Sequence, residues 1–373
     1  MGPLAGVKIV EIGSIGPGPF AAMILSDLGA DVVRVDRPQQ TRLVPSDVPD
    51  PVMRGRPAVP ADLKTAAGRE LVLELAATAD AVIEGFRPGV LERLGLGPDV
   101  LRARNARLVV GRITGYGQDG PLSQVPGHDV NYISVSGALG GIAREGNRPL
   151  FPLNLLGDYG GGGMLLALGV ISAVLEARSS GRGQVVDAAM VDGSALLTTV
   201  FHGLRAGGGW SDTPGTNVLD SGAHFYEVYE TSDGGYISVG AIERQFYADL
   251  LRILGVEPAE APQWDKARWP ALKVRFAEIF RSRSRDEWAA LLEHADACAT
   301  PVLSIGEAPQ HPHNVARGTF IEVDGVVQPA AAPRFSRTPG DAARPVPTPV
   351  DALRAWGLAP ATIAEVLEVG AAG

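Results

Sequence analysis

Cysteine is almost absent: one residue in 373, Cys298, which rules out an internal disulfide and any zinc site of the multi-cysteine kind. That scarcity predicts a reducing compartment such as the cytosol. The setting Ala297-Cys298-Ala299-Thr300-Pro301 is small and apolar with nothing basic beside it, so the thiol reads as core rather than as a nucleophile. Basic charge is also short. Lys and Arg number 33 against 42 Asp and Glu, giving a net charge of -9, so a broad cationic face for nucleic acid is excluded while a local basic pocket is not. Long hydrophobic runs are missing as well. The longest, Met164 to Ala177, is about fourteen residues, too short for a bilayer span and better read as a buried helix. At the start, Met1-Gly2-Pro3-Leu4 leads into a strand rather than a charged segment followed by an apolar one, so no targeting signal and a soluble chain are expected.

What is present is ample core material, with 45% hydrophobic residues and enough length for more than one domain. Short β-branched runs at Val7–Ile12, Asp31–Asp36, Ala81–Glu84, Leu108–Ile113 and Gln184–Ala188 alternate with helical patterns. Those patterns lie at Pro19–Leu28, Gly68–Thr78, Val130–Leu139, Gly163–Glu176 and Val191–Ala206, and the alternation predicts an open α/β sheet wrapped by helices over residues 1–206. A glycine-rich linker at 207–224 follows, then a smaller α+β domain at 225–325. Its expected strands are Phe225–Glu230, Gly235–Val239 and Thr319–Val323, and its helices Gln245–Leu254, Ala271–Arg281 and Arg285–Glu293. Residues 326–373 read as an extended proline-rich return strap and short helices that complete the first domain.

Gly16-Pro17-Gly18-Pro19 after the first strand, with Asp36 ending the second, imitates a dinucleotide fingerprint. The prolines argue against it, because a pyrophosphate cradle works through backbone N–H groups that Pro17 and Pro19 lack. Arg37 follows directly at the C-terminal end of the second predicted strand, where open sheets bind ligands and a fixed cation meets phosphate. Arg54, Arg56, Lys64, Arg87 and Arg93 add basic side chains in the same half; each is either a phosphate ligand or a solvated surface charge.

Gly157-Asp158-Tyr159-Gly160-Gly161-Gly162-Gly163 places a carboxylate before an apolar helix. Asp158 is therefore either a base or nucleophile beside bare N–H groups that would hold an oxyanion, or simply a helix N-cap. Gly127-His128-Asp129 puts an imidazole, able to move protons near neutral pH, at the start of another helical pattern. Glu243 stands before the helix at Gln245, as an ordinary cap or as the carboxylate that holds a histidine across a domain or subunit boundary.

These residues, with Glu84-Gly85-Phe86-Arg87-Pro88-Gly89-Val90, Ile113-Thr114-Gly115-Tyr116-Gly117-Gln118 and Gln184-Val185-Val186-Asp187-Ala188-Ala189-Met190, form an ordered set over nearly the whole chain. The set resembles the family III CoA-transferases (CaiB/BaiF type) and, within them, the α-methylacyl-CoA racemases. The resemblance implies a large Rossmann-like domain built from both termini, a small middle domain, and an interlocked homodimer. It implies an acyl-CoA thioester substrate held by Arg37, Ala61, Leu63, Lys64 and Arg93, with no cofactor beyond the substrate's own CoA, no metal, no membrane and no nucleic acid. It gives His128 and Asp158 opposed faces of the α-carbon and gives Glu243 the task of orienting the imidazole. Arg244 departs from that pattern, which has proline there. A CoA-transferase using Asp158 as nucleophile is the rival expectation, and a catalytically silent CoA-binding protein is a third.

Overall fold

Val- and Ile-rich runs become strands here because their branched side chains are stiff and pack well on a pleat covered on both faces. A computed structural model describes residues 2–37 and 48–371. Along it run β1 (Lys8–Ile12), α1 (Pro17–Asp27), β2 (Asp31–Asp36), β3 (Ala58–Pro60), α2 (Ala66–Thr78), β4 (Ala81–Glu84), α3 (Val90–Arg93), α4 (Pro98–Arg104) and β5 (Val109–Thr114). After these come α5 (Asp129–Val135), α6 (Leu165–Ser180), β6 (Val185–Ala189) and α7 (Met190–Leu197). The six strands form one parallel sheet in the order β3-β2-β1-β4-β5-β6. Strand order reverses between β1 and β4, and such a switch point opens a crevice at the carboxyl ends of the strands.

Alternation along each strand feeds two cores. Val10, Ile12, Val33, Val35, Val82 and Val110 meet α2 through Leu71, Val72 and Leu75. Ile9, Val32, Ile83 and Val109 meet α1 and α6 through Ala21, Leu25, Leu166 and Val170. The edge strand β3 lies outside the expected set, since three residues ending in Pro60 carry no periodic signal and only backbone pairing to Arg34–Asp36 defines it.

Charge is buried within this apolar sheet. Glu11 of β1 pairs with Arg34 of β2, its register partner, and its second oxygen lies 2.9 Å from Arg56 Nε. Arg34 Nε also donates to Asp36 at 2.7 Å, so two carboxylates face two guanidiniums. On the other side of the switch point Glu84 of β4 pairs at 2.7 Å with Arg112 of β5, again its register partner.

The glycine run ahead of α6 is helical, a π-type stretch spanning Leu155–Met164. Its glycines serve packing: a Cβ on Gly161 would lie 2.6 Å from Ser194 N in α7, and one on Gly163 2.8 Å from Pro17 O in α1. The uninterrupted helical run Leu155–Ser180 thus reaches 26 residues, long and apolar enough by composition to cross a bilayer, which corrects the fourteen-residue reading. Half of its most apolar window is nevertheless buried inside the protein, against β5, β6 and α1, as in a core helix.

By internal contacts the chain divides into two units: Met1–Ser136, Pro152–Leu197 and His313–Gly373 make one, Gly137–Phe151 and Thr198–Pro312 the other. The second holds α8 (Thr199–Ala206), β7 (Tyr226–Glu230), β8 (Tyr236–Gly240), α9 (Arg244–Leu254), α10 (Trp269–Phe280), α11 (Arg285–Leu292) and β9 (Ala299–Pro301). The single helix expected over Val191–Ala206 is therefore two, α7 and α8, meeting at Thr198. An antiparallel sheet, β7-β8-β9, packs through Phe225, Tyr229 and Ile237 on Tyr247, Phe276, Phe280 and Trp288. Cys298 is exposed, contrary to the core reading: Ala297 and Ala299 are buried, and the backbone between them turns through the left-handed region at residue 298, φ 44°, which leaves the thiol outward. The chain returns through α12 (Pro312–Arg317) and a hairpin, β10 (Phe320–Val323) and β11 (Val326–Pro329), turned by Asp324-Gly325 with positive φ at both. That Asp-Gly pair is the turn signal that distinguishes a hairpin from the single strand expected there. Finally α13 (Pro349–Ala355) and α14 (Pro360–Ala371) bring Trp356, Ile363 and Val366 into the first unit's core.

One buried histidine makes the second unit pH-sensitive. His224 is fully buried; Tyr247 Oη donates to Ala261 O at 2.9 Å and lies 2.6 Å from His224 Nε2, so the imidazole donates there. Burial lowers its pKa from 6.5 to about 4. The unfolded chain binds this proton below pH 6.5 and the folded chain only near 4, so stability falls as pH drops through that window, by roughly 3 kcal/mol in all. Urea denaturation of wild type and His224→Gln between pH 7.5 and 4 should show that slope reduced in the variant; equal slopes would refute the assignment.

Candidate functional site

A cavity of about 570 Å³ opens where the sheet predicts one. Its walls are the segments leaving the carboxyl ends of β1 (Gly13–Pro17), β2 (Arg37), β4 (Gly85–Pro88) and β5 (Thr114–Tyr116), on both sides of the switch point. The segment from Ser123 to His128, with Tyr132, Asp158 and Met190, completes it.

His128 is the N-cap residue of α5, in extended backbone conformation, with its amide donating to Asn131 Oδ1 at 3.0 Å. Its ring is exposed toward the cavity. The peptide before it is fixed by Tyr132, whose hydroxyl donates to Gly127 O and whose ring stands edge-on to Tyr116 at 4.9 Å. Gly115 is required by that packing, because a Cβ there would fall 2.0 Å from the Tyr132 ring. Burial and the nearby Asp158 carboxylate push the Tyr132 phenol up to about 12, so it stays protonated as a donor.

Asp158 lies in the first turn of the π-type helix and is half-buried. The N-cap reading does not hold: Asn154 occupies that position, and its Nδ2 donates to Asp158 Oδ2 at 3.0 Å. Burial raises the Asp158 pKa from its ordinary value and the nearby Asp129 carboxylate adds to the rise, while the Asn154 hydrogen bond and His128 oppose it. Gly16, with φ 77°, passes against it; a Cβ there would meet Asp158 Oδ2 at 3.4 Å, and the backbone conformation itself favours glycine. The Gly16-Pro17 element is thus a close wall for the carboxylate, with Pro17 opening α1.

Sequence reading gave Asp129 no role, and the structure does. Its buried carboxylate accepts from the amides of Gly157 at 2.6 Å and Asp158 at 2.7 Å, tying the α5 N-terminus to the turn that carries Asp158. These amides are therefore occupied, which corrects the expectation that they would be bare for an oxyanion. Among the described residues, the Asp129 and Val130 amides at the α5 N-terminus have no intrachain acceptor. Only its place directly after His128 marked Asp129 in the sequence.

The predicted phosphate ligands fare differently. Arg37 and Arg87 are exposed on the cavity wall, with the Arg37 guanidinium 5.7 Å from the Phe86 ring centre. Lys64 and Arg93 are exposed outside the lining, while the Ala61 and Leu63 side chains are buried in the core, leaving only their main chain for a ligand. Arg54 and Arg56 are committed elsewhere: Arg54 grips Asp27 at 2.6 Å and Gln328 at 2.8 Å, and Arg56 is buried on Glu11. Glu243 is the N-cap residue of α9 in the second unit and is not part of this lining. The structure thus brings His128, Asp158 and Arg37 to one cavity.

Such an arrangement offers an imidazole and a carboxylate of raised pKa for proton transfer, and cations on the wall for an anionic substrate. Removing the Asn154 hydrogen bond takes away a group that favours the charged form of Asp158. In the direction in which Asp158 acts as the base, Asn154→Ala should therefore move the acidic limb of the kcat/KM pH profile upward, by about half a unit to one unit. An unmoved limb would mean that Asp158 does not set it.

Comparison with known proteins adds sequence and fold likeness. The family model CoA-transferase family III matches residues 4–350. Alpha-methylacyl-CoA racemase of Mus musculus is 44% identical over 339 residues, covering 90% of this chain and 87% of that protein. The Homo sapiens protein of the same name is 42% identical, with the same coverage. A crystal structure of a CAIB/BAIF family protein from Brucella suis superposes with a TM-score of 0.81 at 27% identity, covering 95% of this chain and 99% of that one.

Proposed function

Because the chain belongs to CoA-transferase family III, we propose that it is an α-methylacyl-CoA racemase, interconverting the 2R and 2S epimers of 2-methylacyl-CoA thioesters. The observation that carries the reading is the pairing of His128 with a half-buried Asp158 of raised pKa in one cavity at the switch point of the sheet.

A hydrogen α to a thioester is a very weak acid, so its removal needs a placed base and a sink for the enolate. His128 takes the proton from one epimer while protonated Asp158 delivers one to the other face, and the roles reverse for the opposite epimer. Two one-sided groups invert the centre without moving the substrate's substituents past each other. The raised pKa suits Asp158 to hold a proton during turnover. Glu243 orients the imidazole by family likeness. Arg37 and Arg87 face the nucleotide phosphates, and Lys64 and Arg93 extend the cationic rim. CoA belongs to the substrate, and the reaction needs no further cofactor.

The working form is a homodimer. Met164, Leu168 and Leu175 leave one stripe of the helical run Leu155–Ser180 exposed, apolar surface that a second copy of the chain would cover.

One epimer of a 2-methylacyl-CoA incubated with the enzyme in deuterated water, without any acceptor acid, should lose optical purity and gain α-deuterium. His128→Ala should abolish epimerisation. Turnover strictly dependent on an acceptor acid would instead establish a CoA-transferase with Asp158 as nucleophile, and full epimerisation by His128→Ala would remove the two-base mechanism.

A further inference from the structure

One loop of the cavity is clamped from below by a single buried cation. Residues 85–88 line the cavity and lead through Gly89 into α3, so the loop presents Phe86 and Arg87 inward and Arg93 just past its end. At its start, Phe86 N donates to Glu84 Oε2 at 2.7 Å. The other Glu84 oxygen, Oε1, accepts from Arg112 Nε at 2.7 Å. Arg112 then turns its outer edge to Glu92 in α3, with Nη1 at 2.8 Å and Nη2 at 3.3 Å from the two carboxylate oxygens. One planar guanidinium therefore holds both ends of the loop, while Gln124 Nε2 holds its middle through Pro88 O at 3.3 Å. Phe86 in turn underlies Arg37 at 5.7 Å, so the loop also sets the cation that follows β2.

We propose that Arg112 is a positioning residue for recognition of the nucleotide end of the substrate, acting through residues 85–93. The proposal rests on the reading of this cavity as a CoA site. Nothing in it touches the reacting carbon: Arg112 is buried behind the wall, and its hydrogen bonds end on Glu84 and Glu92. Its geometry is specific to arginine, because a lysine ammonium is a point charge that cannot donate in a plane to two carboxylates on opposite edges. The Glu84–Arg112 pair is fixed by direct strand register, so the cation cannot shift to follow a displaced loop. Glu92 is the adjustable end, its side chain 44% exposed.

The test compares Arg112→Lys, which keeps the buried positive charge, and Glu92→Gln, a change on a half-exposed side chain, with wild type. Each is assayed for epimerisation of one acyl group carried on CoA and on pantetheine, which lacks the nucleotide. Wild type should show the lower KM for the CoA ester. In Arg112→Lys that KM should rise about tenfold, and in Glu92→Gln about threefold, with kcat nearly constant and the pantetheine KM unmoved. Equal effects on both esters, or a fall in kcat alone, would overturn the positioning role. Should wild type itself not distinguish the two esters, the CoA assignment of the cavity fails and the proposal fails with it. Should Arg112→Lys not fold, Glu92→Gln decides by the same two KM values.

Discussion

Carboxylate–guanidinium pairs buried at the carboxyl ends of the strands are the constraint on which the site depends. Glu11 with Arg34 and Glu84 with Arg112 are register partners in β1/β2 and β4/β5, so the same strand pairing that builds the sheet aligns the charges. Burying such pairs adds little net stability, since desolvation offsets attraction, but removing one partner costs about 3–5 kcal/mol by stranding the other. Each also reaches past its strand: Arg34 Nη2 donates to Ser14 O at 3.3 Å, and Glu84 accepts from Phe86 N at 2.7 Å. The two loops that face each other across the switch point are thus held by the sheet's own charges rather than by their own composition.

A second carboxylate does the corresponding work for proton transfer. Asp129 follows His128 in the chain and binds the amides of Gly157 and Asp158 in space, so the imidazole and the carboxylate belong to one hydrogen-bonded frame. The glycines that resembled a ligand cradle are consumed by packing of α1 and α7 on the π-type helix. That packing half-buries Asp158 and supplies the desolvation that raises its pKa. Close backbone packing and acid–base chemistry are here one structural fact.

Much of the fold was readable from periodicity. The five long strands of the main sheet lie within a residue or two of their apolar runs, and most long helices lie close to theirs. What escaped was structure defined by partners rather than by pattern. β3 is three residues made a strand only by β2, and β9 likewise only by β8. The helical state of Leu155–Met164 depends on α1 and α7 lying against its glycines. Cys298 faces outward because its alanine neighbours found a core, which composition alone could not orient.

By itself the sequence determined the class of sheet, the family set of motifs and the residue types able to move a proton, because each is a local matter of propensity, spacing and side-chain chemistry. Only the tertiary structure decided which cations are free and which are spent. Arg54 and Arg56 read like Arg37 and Arg87, yet the first two are bound to Asp27 and Glu11 while the last two face the cavity. It likewise decided that Asp158 is a half-buried acid and not a helix cap. In both cases the reason is that charge pairing and desolvation are set by neighbours far away in the chain, and no local pattern records them.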